Sequence, residues 1–426
     1  MNKKKNFKVA IIGLGYVGLP LYCLCKQKNI DVHGFDLSKK IINDLKKDNS
    51  HISDISNDEL KKYKFKKLFN MSEIKNISDR NIIIFCLPTP ILKNENPDMT
   101  YIKNALNLIK NHISDNVVLI LESTVYPGGT REIFTEFIKK RSKNDSQINF
   151  GFSSERISPG QKDKKKFKIN YQNIPKVVSG NNEKTLKKIN FFYKNLFKKT
   201  YQTESIEVAE MSKLLENSYR AVNIGLVNEF KILCKSKDIN FHDVISAAST
   251  KPFGFRPFNP GPGVGGHCIP IDPLFVSWFA KKNGLSADFI ELARKKNIEI
   301  TNWVIKKILK KFKNLSLKKG KILVIGLAYK EDVNDVRESP SLKIIEKLMR
   351  GKIHTNYYDP LIPEAIINNK KFYSIKNLNF ISSYDIVVLA TNHSNLPFKK
   401  ILDNSKILID TRGQFKNSNS KNLLFL

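Results

Sequence analysis

One short stretch concentrates residues that could do chemistry. In "NPGPGVGGHCIPIDP", from Asn259 to Pro273, a cysteine stands behind four glycines and a histidine and ahead of an aspartate-proline pair. The glycines let backbone N–H groups come close to whatever Cys268 faces. Asp272 followed by Pro273 is typical of a helix start, and the dipole and donors at a helix N-terminus favour a thiolate. The stretch therefore predicts a reactive thiol at Cys268.

Three other interpretations of Cys268 stay open from these residues alone. It could be an inert core thiol, although a buried cysteine seldom needs so many glycines around it. It could bind a metal ion with His267, but adjacent residues make a poor chelate and the sequence has no second Cys/His cluster. The glycines could also form a plain loop. We expect no metal site.

A second pattern, near the N-terminus, predicts a dinucleotide site. An apolar strand over residues 7–12 leads into "GLGYVG", which opens a helix, and a second strand, "DVHGFD", ends at Asp36. In this order of elements Gly13 permits a tight turn, Gly15 lets the backbone approach a pyrophosphate, and Gly18 lets the helix pack on the strand. The phosphates would lie at the helix N-terminus. A tight turn without a ligand is the alternative.

The acid at the end of the second strand indicates which dinucleotide binds. Asp36 would accept hydrogen bonds from a ribose diol and repel a 2′-phosphate, which favours NAD over NADP. Lys39 and Lys40 follow closely and weaken this preference. NAD is the predicted cofactor.

Two polar loops follow further apolar strands in this part of the chain. "PTP", with Pro88 and Thr89, follows a strand over residues 81–87, and "ESTVYPGG", with Thr124, follows one over residues 117–121. Ligands of parallel sheets bind beyond the carboxyl ends of the strands. Thr89 and Thr124 are therefore candidates for the cofactor rim, and turn-forming or capping roles explain them equally well.

A long helix without proline is predicted over residues 206–230. Lys213 and Asn217 lie four residues apart on it and share a face. They form a polar spot beside apolar stretches, or they are ordinary surface residues. A helix of this length between two α/β halves is also a natural dimer core, so we expect a homodimer or a higher homo-oligomer.

The C-terminal part restarts the alternation of strands and helices. "KILVIGLAYK" (321–330) predicts a strand running into a glycine turn, a helix follows at 339–349, and "IHTNYYD", "YDIVVLA" and "KILID" predict further strands. Its first turn lacks GxGxxG, which suggests a second nucleotide ligand bound by different phosphate chemistry. The predicted fold class is α/β: two doubly wound Rossmann-like domains, 1–205 for NAD and 306–426 for the second nucleotide, joined by a central long-helix region, 206–305.

A thiol, an NAD site and a second nucleotide domain together indicate one kind of chemistry. A cysteine nucleophile beside a nicotinamide can hold an aldehyde as a thiohemiacetal and lose a second hydride to give a thioester. Water then releases an acid. Such a site would take an alcohol to a carboxylate.

The composition limits the class and compartment of the protein. A length of 426 residues suggests two or three domains, and 41% hydrophobic residues indicate a globular chain. The odd count of five cysteines, without a CxxC pair, favours a reducing cytoplasm. Glycines interrupt the N-terminal apolar run, unlike a signal peptide, and no segment approaches the ~20 apolar residues of a membrane helix. We expect no membrane partner.

The net charge of +33 raises the alternative of a nucleic-acid-binding protein on an inactive enzyme fold. The lysines are spread along the whole chain, however, without a basic tail or a patch interleaved with aromatic residues. A nucleic-acid binder would also have no use for Cys268, Lys213, Asn217 and Asp272 together. We therefore expect no nucleic-acid partner.

Over nearly the whole chain, the residues resemble the UDP-glucose/GDP-mannose dehydrogenases, four-electron enzymes that turn a nucleotide sugar into its uronic acid. The matching blocks are "GLGYVGLP", "CLPTP", "ESTVYPG", "SSERISPG", "AEMSKLLENSYRAVNIGLVNE", "GPGVGGHCIPIDP" and "GLAYKEDVNDVRESPS". Within the family, "KPFGFRPFNPGPGVGGHCIPIDP" is most similar to the bacterial UDP-N-acetylglucosamine 6-dehydrogenases of surface-polysaccharide and lipopolysaccharide synthesis.

The resemblance implies catalytic roles. Cys268 would be the nucleophile, Lys213 and Asn217 would stabilise oxyanion charge, and Asp272 would take part in proton transfer or orient water. The residues implied to line the water-activating region are Thr124 and Glu155.

The resemblance also implies binding residues. Lys330 would contact a UDP-sugar, Arg337 would reach the NAD, and Arg256 would meet the substrate, in one arrangement across a subunit boundary. The other implied substrate contacts are Glu155, Lys213, Asn217, Phe258, Gly265 and, as a weaker candidate, Arg412. The implied cofactor contacts besides Arg337 are Gly13, Gly15, Tyr16, Val17, Gly18, Asp36, Lys40, Pro88, Thr89 and Thr124.

The chain departs from the family pattern at two places, and the first of them narrows the predicted substrate. Many UDP-glucose dehydrogenases carry a second glutamate four residues after the first, where this chain has Pro159, and this suits the acetamido-sugar branch. The usual "PER" is "SER" at 154–156. The prediction is a cytoplasmic, NAD-dependent UDP-N-acetylhexosamine 6-dehydrogenase that prefers UDP-N-acetylglucosamine, with UDP-N-acetylmannosamine or UDP-glucose as alternative substrates.

Overall fold

The structure is a computed structural model that describes residues 7–63, 65–141, 148–156, 171–316 and 320–426. These residues divide into two compact units. The first comprises the described residues up to Glu216 together with Leu274–Leu285, and the second comprises the described residues of Asn217–Pro273 and Ser286–Leu426. Within the described ranges, no helix is both long and apolar enough to cross a membrane.

Strands and helices alternate along the first unit. The strands are β1 (Lys8–Ile12), β2 (Asp31–Asp36), β3 (Leu68–Asn70), β4 (Ile82–Phe85), β5 (Val118–Leu121), β6 (Asn149–Phe152), β7 (Lys176–Val178) and β8 (Thr200–Gln202). The helices are α1 (Gly18–Gln27), α2 (Lys39–Lys46), α3 (Asn57–Lys61), α4 (Thr100–Ile109), α5 (Gly129–Arg141), α6 (Glu183–Lys194) and the start of α7 (Ile206–Lys235).

The described strands of the first unit form a parallel sheet in the order β3-β2-β1-β4-β5-β6, and β7 and β8 pair separately. This is the order of a dinucleotide-binding fold, whose ligand site lies where the order reverses, between β1 and β4. The strands β4 and β5 are buried along their whole length and consist of apolar residues. Strands of parallel sheets have this composition because other elements cover both faces.

The second unit repeats this architecture after a helical segment. Its helices are the rest of α7, α8 (Phe241–Ala248), α10 (Asp288–Asn314), α11 (Pro340–Arg350) and α12 (Phe398–Asn404), while α9 (Asp272–Lys282) starts here and continues in the first unit. Its strands are β9 (Lys321–Ile325), β10 (His354–Tyr358), β11 (Glu364–Ile367), β12 (Lys370–Tyr373), β13 (Ile386–Leu389), β14 (Leu408–Asp410) and β15 (Leu423–Phe425). The described sheet is parallel, in the order β10-β9-β13-β14-β15.

The predicted α/β class with two Rossmann-like sheets and long central helices is confirmed. The long helix extends five residues past its predicted end at Phe230, because the apolar spacing continues and no helix breaker follows. The later helix begins one residue after its predicted start, because Ser339 caps it by accepting a hydrogen bond from the Ser341 N–H. The division into three domains at 205 and 305 stays a prediction.

Candidate functional site

The turn between β1 and α1 has the backbone that a pyrophosphate site needs. Gly13 has a φ of +93°, and a Cβ there would lie 2.5 Å from the Cys86 carbonyl oxygen. A Cβ on Gly18 would collide with the Gly13 carbonyl oxygen, whereas a Cβ on Gly15 would meet nothing within 4 Å. Gly13 and Gly18 are thus required by packing. Gly15 borders open space at the start of α1, where a phosphate would be expected to bind.

The carboxylate of Asp36 lies at the end of β2 and secures the same turn. Its two oxygens accept hydrogen bonds from the Leu14 N–H at 2.9 Å and from the Ser38 N–H at 2.8 Å. Asp36 remains half-buried and Lys40 is exposed on the following helix. The open glycine and this carboxylate fit an NAD pyrophosphate and ribose.

The two polar loops predicted as the cofactor rim are joined to each other. The Ser123 hydroxyl accepts a hydrogen bond from the Leu87 N–H at 2.9 Å, which links the loop after β4 to the loop after β5. Pro88 is exposed, and Thr89 and Thr124 are half-buried. These residues, like Tyr16 and Val17 in the first turn, stay predicted cofactor contacts.

Glu155 lies in a buried charged cluster that the sequence did not reveal. Its carboxylate accepts hydrogen bonds from the Tyr171 hydroxyl at 3.0 Å and from the Lys176 ammonium at 3.3 Å. Lys176 also donates to the carboxylate of Glu122 at 2.8 Å. Two features of the sequence could have indicated the cluster. A glutamate directly follows the apolar "VLIL", and a lysine begins the otherwise apolar "KVV". Pro159 lies outside the described residues.

In the second unit, the structure brings together two of the residues predicted around the thiol. The Asn217 side-chain amide donates to the Asp272 carboxylate at 2.6 Å. The Asp272 N–H donates to the Cys268 carbonyl oxygen at 2.8 Å, so the thiol-bearing residue lies one turn ahead of α9. Lys213 is buried on α7, one helical turn before Asn217.

The glycines before Cys268 are needed for packing against residues 329–338. A Cβ on Gly265 would lie 2.8 Å from the Glu338 carbonyl oxygen, and one on Gly266, whose φ is +84°, would lie 2.7 Å from the Tyr329 ring. The Gly266 N–H donates to the Arg337 carbonyl oxygen at 2.8 Å. Glycine therefore lets this loop lie directly on the segment that follows β9.

The predicted substrate residues of the second unit are spread around this loop. Arg256 is exposed, and the Phe258 ring contacts that of Tyr219 at 5.9 Å between centroids. Lys330 is half-buried in the turn after β9. Arg412 lies just beyond β14, where burial lowers its pKa to about 10 and its Nε donates to the Ala390 carbonyl oxygen. They stay predicted substrate contacts.

Arg337, predicted to reach the NAD, belongs to the second unit. Its guanidinium binds the Asp335 carboxylate at 2.6 Å and lies 3.1 Å from the His267 ring nitrogen. Arg337 thus ties the segment after β9 to the residue next to Cys268, and its contact with NAD stays a prediction. Among the described residues, no group of three or more His, Cys, Asp and Glu side chains could hold a metal ion.

Comparison with protein families assigns the chain along nearly its whole length. The UDP-glucose/GDP-mannose dehydrogenase family matches by its NAD binding domain over residues 7–198, its central domain over 207–299 and its UDP binding domain over 323–417. The chain belongs to this family. The resemblance seen in the motifs is confirmed, as are the NAD cofactor and the assignment as an NAD-dependent oxidoreductase.

The individual relatives are named for two different substrates. UDP-N-acetyl-D-mannosamine dehydrogenase of Methanococcus vannielii is 33% identical, over 96% of this chain and 93% of its own. UDP-N-acetyl-D-glucosamine 6-dehydrogenase of Salmonella typhi is also 33% identical, over 91% of this chain and 90% of its own. The solved structure of UDP-D-ManNAc dehydrogenase from Pyrococcus horikoshii aligns with a TM-score of 0.86 at 26% identity, covering 98% of each chain.

Proposed function

We propose that this protein oxidises the C6 hydroxyl of a UDP-N-acetylhexosamine to the carboxylate, using NAD and a covalent thioester on Cys268. The observation that carries the proposal is the arrangement at the start of α9. The Asp272 carboxylate accepts a hydrogen bond from Asn217, and the Asp272 N–H donates to the backbone carbonyl oxygen of Cys268. An acid, an amide donor and a thiol are the groups that aldehyde capture and thioester hydrolysis require.

The proposed reaction assigns a step to each group. NAD, when bound, would supply the hydride acceptor for C6, one NAD for each of the two oxidations. Asp272 or Glu155 takes the hydroxyl proton, and the Cys268 thiolate adds to the aldehyde carbon to give a thiohemiacetal whose oxyanion Lys213 and Asn217 stabilise. Loss of a second hydride leaves the thioester. Water attacks its carbonyl carbon while Asp272 or Glu155 takes a proton from that water, the C–S bond breaks, and the thiolate and the uronic acid are released.

The sugar is proposed to be UDP-N-acetylglucosamine, with UDP-N-acetylmannosamine as the second candidate. The motif "KPFGFRPFNPGPGVGGHCIPIDP" supports the first, and relatives of equal identity that carry the mannosamine name support the second. The two sugars differ only in the configuration at C2. The product of either reaction is a uronic acid suited to surface-polysaccharide synthesis, and we place the reaction in the cytoplasm.

Stoichiometry and substrate preference test the proposal together. Purified protein is incubated with excess NAD and limiting amounts of UDP-N-acetylglucosamine, UDP-N-acetylmannosamine or UDP-glucose. We expect two NADH per sugar, as four-electron oxidation demands, and the highest kcat/KM for an acetamido sugar. One NADH per sugar with an aldehyde product would contradict the thioester pathway, and a preference for UDP-glucose would contradict the proposed sugar.

We also propose that the protein acts as a homodimer or a higher homo-oligomer. In the second unit, α7 exposes Tyr219, Leu226, Phe230 and Leu233 at helical spacing. Exposed apolar side chains in such a row are typical of a surface that another chain covers. A second copy of this chain is the proposed partner.

A further inference from the structure

A pair of carboxylates shares one ammonium group inside the first unit. Lys176 Nζ lies 2.8 Å from Glu122 Oε2 and 3.3 Å from Glu155 Oε2, and all three side chains are at most 5% exposed. Glu122 directly follows β5, Glu155 follows β6, and Lys176 opens β7. Three separate elements thus bring their charged groups to one point.

Hydroxyl and backbone donors fix the remaining carboxylate oxygens. Tyr193 donates to Glu122 Oε1, and Tyr171 donates to Glu155 Oε2 at 3.0 Å. The Arg156 N–H donates to Glu155 Oε1 at 2.6 Å. Both oxygens of Glu155 are therefore held, and its carboxylate plane has a defined orientation.

The charges of the cluster do not balance if both acids are ionised. Two carboxylates and one ammonium would leave a net negative charge away from water, which is costly, so the pair is expected to keep one proton. Burial raises the pKa of Glu122 above its ordinary value, against the opposing effect of Lys176. Burial alone would lower the pKa of Lys176, but the two carboxylates raise it. The carboxylate of Glu155 accepts hydrogen bonds from Lys176, Tyr171 and the Arg156 N–H, whereas Glu122 accepts from Lys176 and Tyr193. Since hydrogen bonds to a carboxylate favour its ionised form, the proton of the pair is expected on Glu122.

We propose that Lys176 and Glu122 are positioning residues for Glu155, holding its carboxylate in place and keeping it ionised while Glu122 carries the proton of the pair. The inference rests on the role proposed above for Glu155 in proton transfer. The titratable and charged groups that face this cluster within the described residues include Cys25, Cys86, Glu122, Arg156, Tyr171, Lys176, Tyr193 and, through Cys86, Lys213.

The isosteric variant Glu122→Gln gives the first test. It removes the competing acid and leaves Lys176 paired with Glu155 alone. Because glutamine has the neutral charge of a protonated Glu122, we expect the acidic limb of the pH profile of kcat to stay within about half a pH unit of wild type, with KM for the UDP-sugar within about threefold. An acidic limb that moves by about one unit or more would show that Glu122 carries a charge in wild type and would overturn the proposal.

The double variant Lys176→Met/Glu122→Gln then isolates the ammonium group. Compared with Glu122→Gln, it should move the acidic limb to higher pH by about one unit or more and lower kcat at pH 7 about tenfold, with KM again little changed. If the role of Lys176 were purely structural, its substitution would lower the melting temperature and leave the acidic limb where Glu122→Gln puts it. That result would refute the positioning role.

Two further measurements separate failure of this inference from failure of the proposed function. If wild-type protein oxidises no UDP-sugar, the proposed function fails, and infrared difference spectra still test the cluster: Glu122→Gln should lose a protonated-carboxyl band. Absence of that loss would overturn the proton assignment without any use of activity. If wild type is active, Glu155→Gln should remove the acidic limb. A limb that survives in Glu155→Gln would refute the link between the cluster and catalysis.

Discussion

At the residue scale, the thiol is the group whose role can be separated most cleanly from the rest of the site. Cys268 is only half-buried, and its backbone is fixed by the N–H of Asp272. A serine at this position fills nearly the same space. Binding and covalent chemistry can therefore be measured independently.

We expect Cys268→Ser to bind NAD and the UDP-sugar with nearly wild-type affinity and to turn over at least about a hundredfold more slowly. Serine is a far weaker nucleophile without a dedicated base, and an ester hydrolyses more slowly than a thioester. Steady-state NADH production and intact-protein mass spectrometry, which would detect a trapped acyl group, check this. Turnover near the wild-type rate would show that Cys268 is not the nucleophile.

Lys231 is a buried lysine that forms no ion pair among the described residues, although the charge of Asp410 acts on it. Its ammonium donates to the Thr411 carbonyl oxygen, at 3.2 Å, and it borders a cavity of about 250 Å³ that also touches His242 and Lys416. Burial lowers its pKa from 10.5 to about 7. At neutral pH, folding must therefore either bury a charge or release a proton.

The variant Lys231→Met should be more stable than wild type, by on the order of 1–3 kcal/mol at pH 6–7. Between pH 7 and 10.5 the unfolded chain binds more protons than the folded one, so wild-type stability rises with pH and the advantage of methionine shrinks. Denaturant titrations at pH 6, 7 and 9 measure this. Lys235→Met, at a half-exposed lysine paired with Asp238, is the control and should show no such trend. A gain that grows with pH would contradict the assignment.

Residues that act together locally were predictable from the sequence itself, whereas a long-range pair such as Asn217 and Asp272 was predictable only through the family resemblance. Cys268 and Asp272 share one motif, so their proximity follows from the chain itself. Glu122 and Lys176 are 54 positions apart and meet only because β5 and β7 bring them together. No pattern within either segment encodes that contact.

At the element scale, the turn between β1 and α1 contains two kinds of glycine: those that packing requires and one that we expect binding to require. Gly15→Ala should fold with a melting temperature close to wild type, because a Cβ there meets nothing within 4 Å. It should nevertheless weaken NAD binding about tenfold or more, since the methyl group would occupy the space a pyrophosphate needs. Calorimetric titration with NAD and thermal melts check both expectations.

Gly18→Ala is the matched control, because its Cβ would collide with the Gly13 carbonyl oxygen. It should lose stability and NAD affinity together. If Gly15→Ala binds NAD as wild type does, the phosphate contact is elsewhere and the GxGxxG turn serves only to pack α1 on the sheet.

Elements with a strong apolar pattern were predictable from the sequence, and the side-chain hydrogen bonds that join one element to another were not. Apolar runs predicted β1, β4, β5 and β9, because strands covered on both faces must be apolar throughout. The first turn of α5 depends on Glu210, whose carboxylate accepts hydrogen bonds from the N–H groups of Gly128 and Thr130 at 2.6 and 2.9 Å. That acid comes from α7, about eighty residues later, so local sequence could not reveal it.

At the scale of the whole molecule, the charge of +33 is the property that the enzyme assignment leaves without a function. The cations are dispersed, and many form exposed ion pairs such as Lys140 with Glu136 and Lys187 with Glu183. Dispersed lysines give weak, unspecific attraction to phosphate backbones that salt removes. Binding to labelled duplex DNA should therefore be detectable at low salt and lost at physiological salt. Tight binding that survives the higher salt would revive a nucleic-acid function.

The second whole-molecule prediction concerns self-association through the exposed apolar row on α7. Leu226 and Phe230 are 50% and 47% exposed and lie one helical turn apart. Placing a charge on a surface that becomes buried between two chains leaves that charge unpaired and desolvated, which costs several kcal/mol of association free energy. Wild type should sediment as a dimer or a larger assembly, and Leu226→Glu/Phe230→Glu should sediment as a smaller species, with dissociation constants at least about a hundredfold apart. Ile366→Glu is the matched control, because Ile366 is 74% exposed on β11, in the same unit but on a different element, and its substitution should leave the assembly intact. If wild type and both variants sediment at the same mass, this row on α7 is not an interface between chains, and a different surface must account for any assembly that is found.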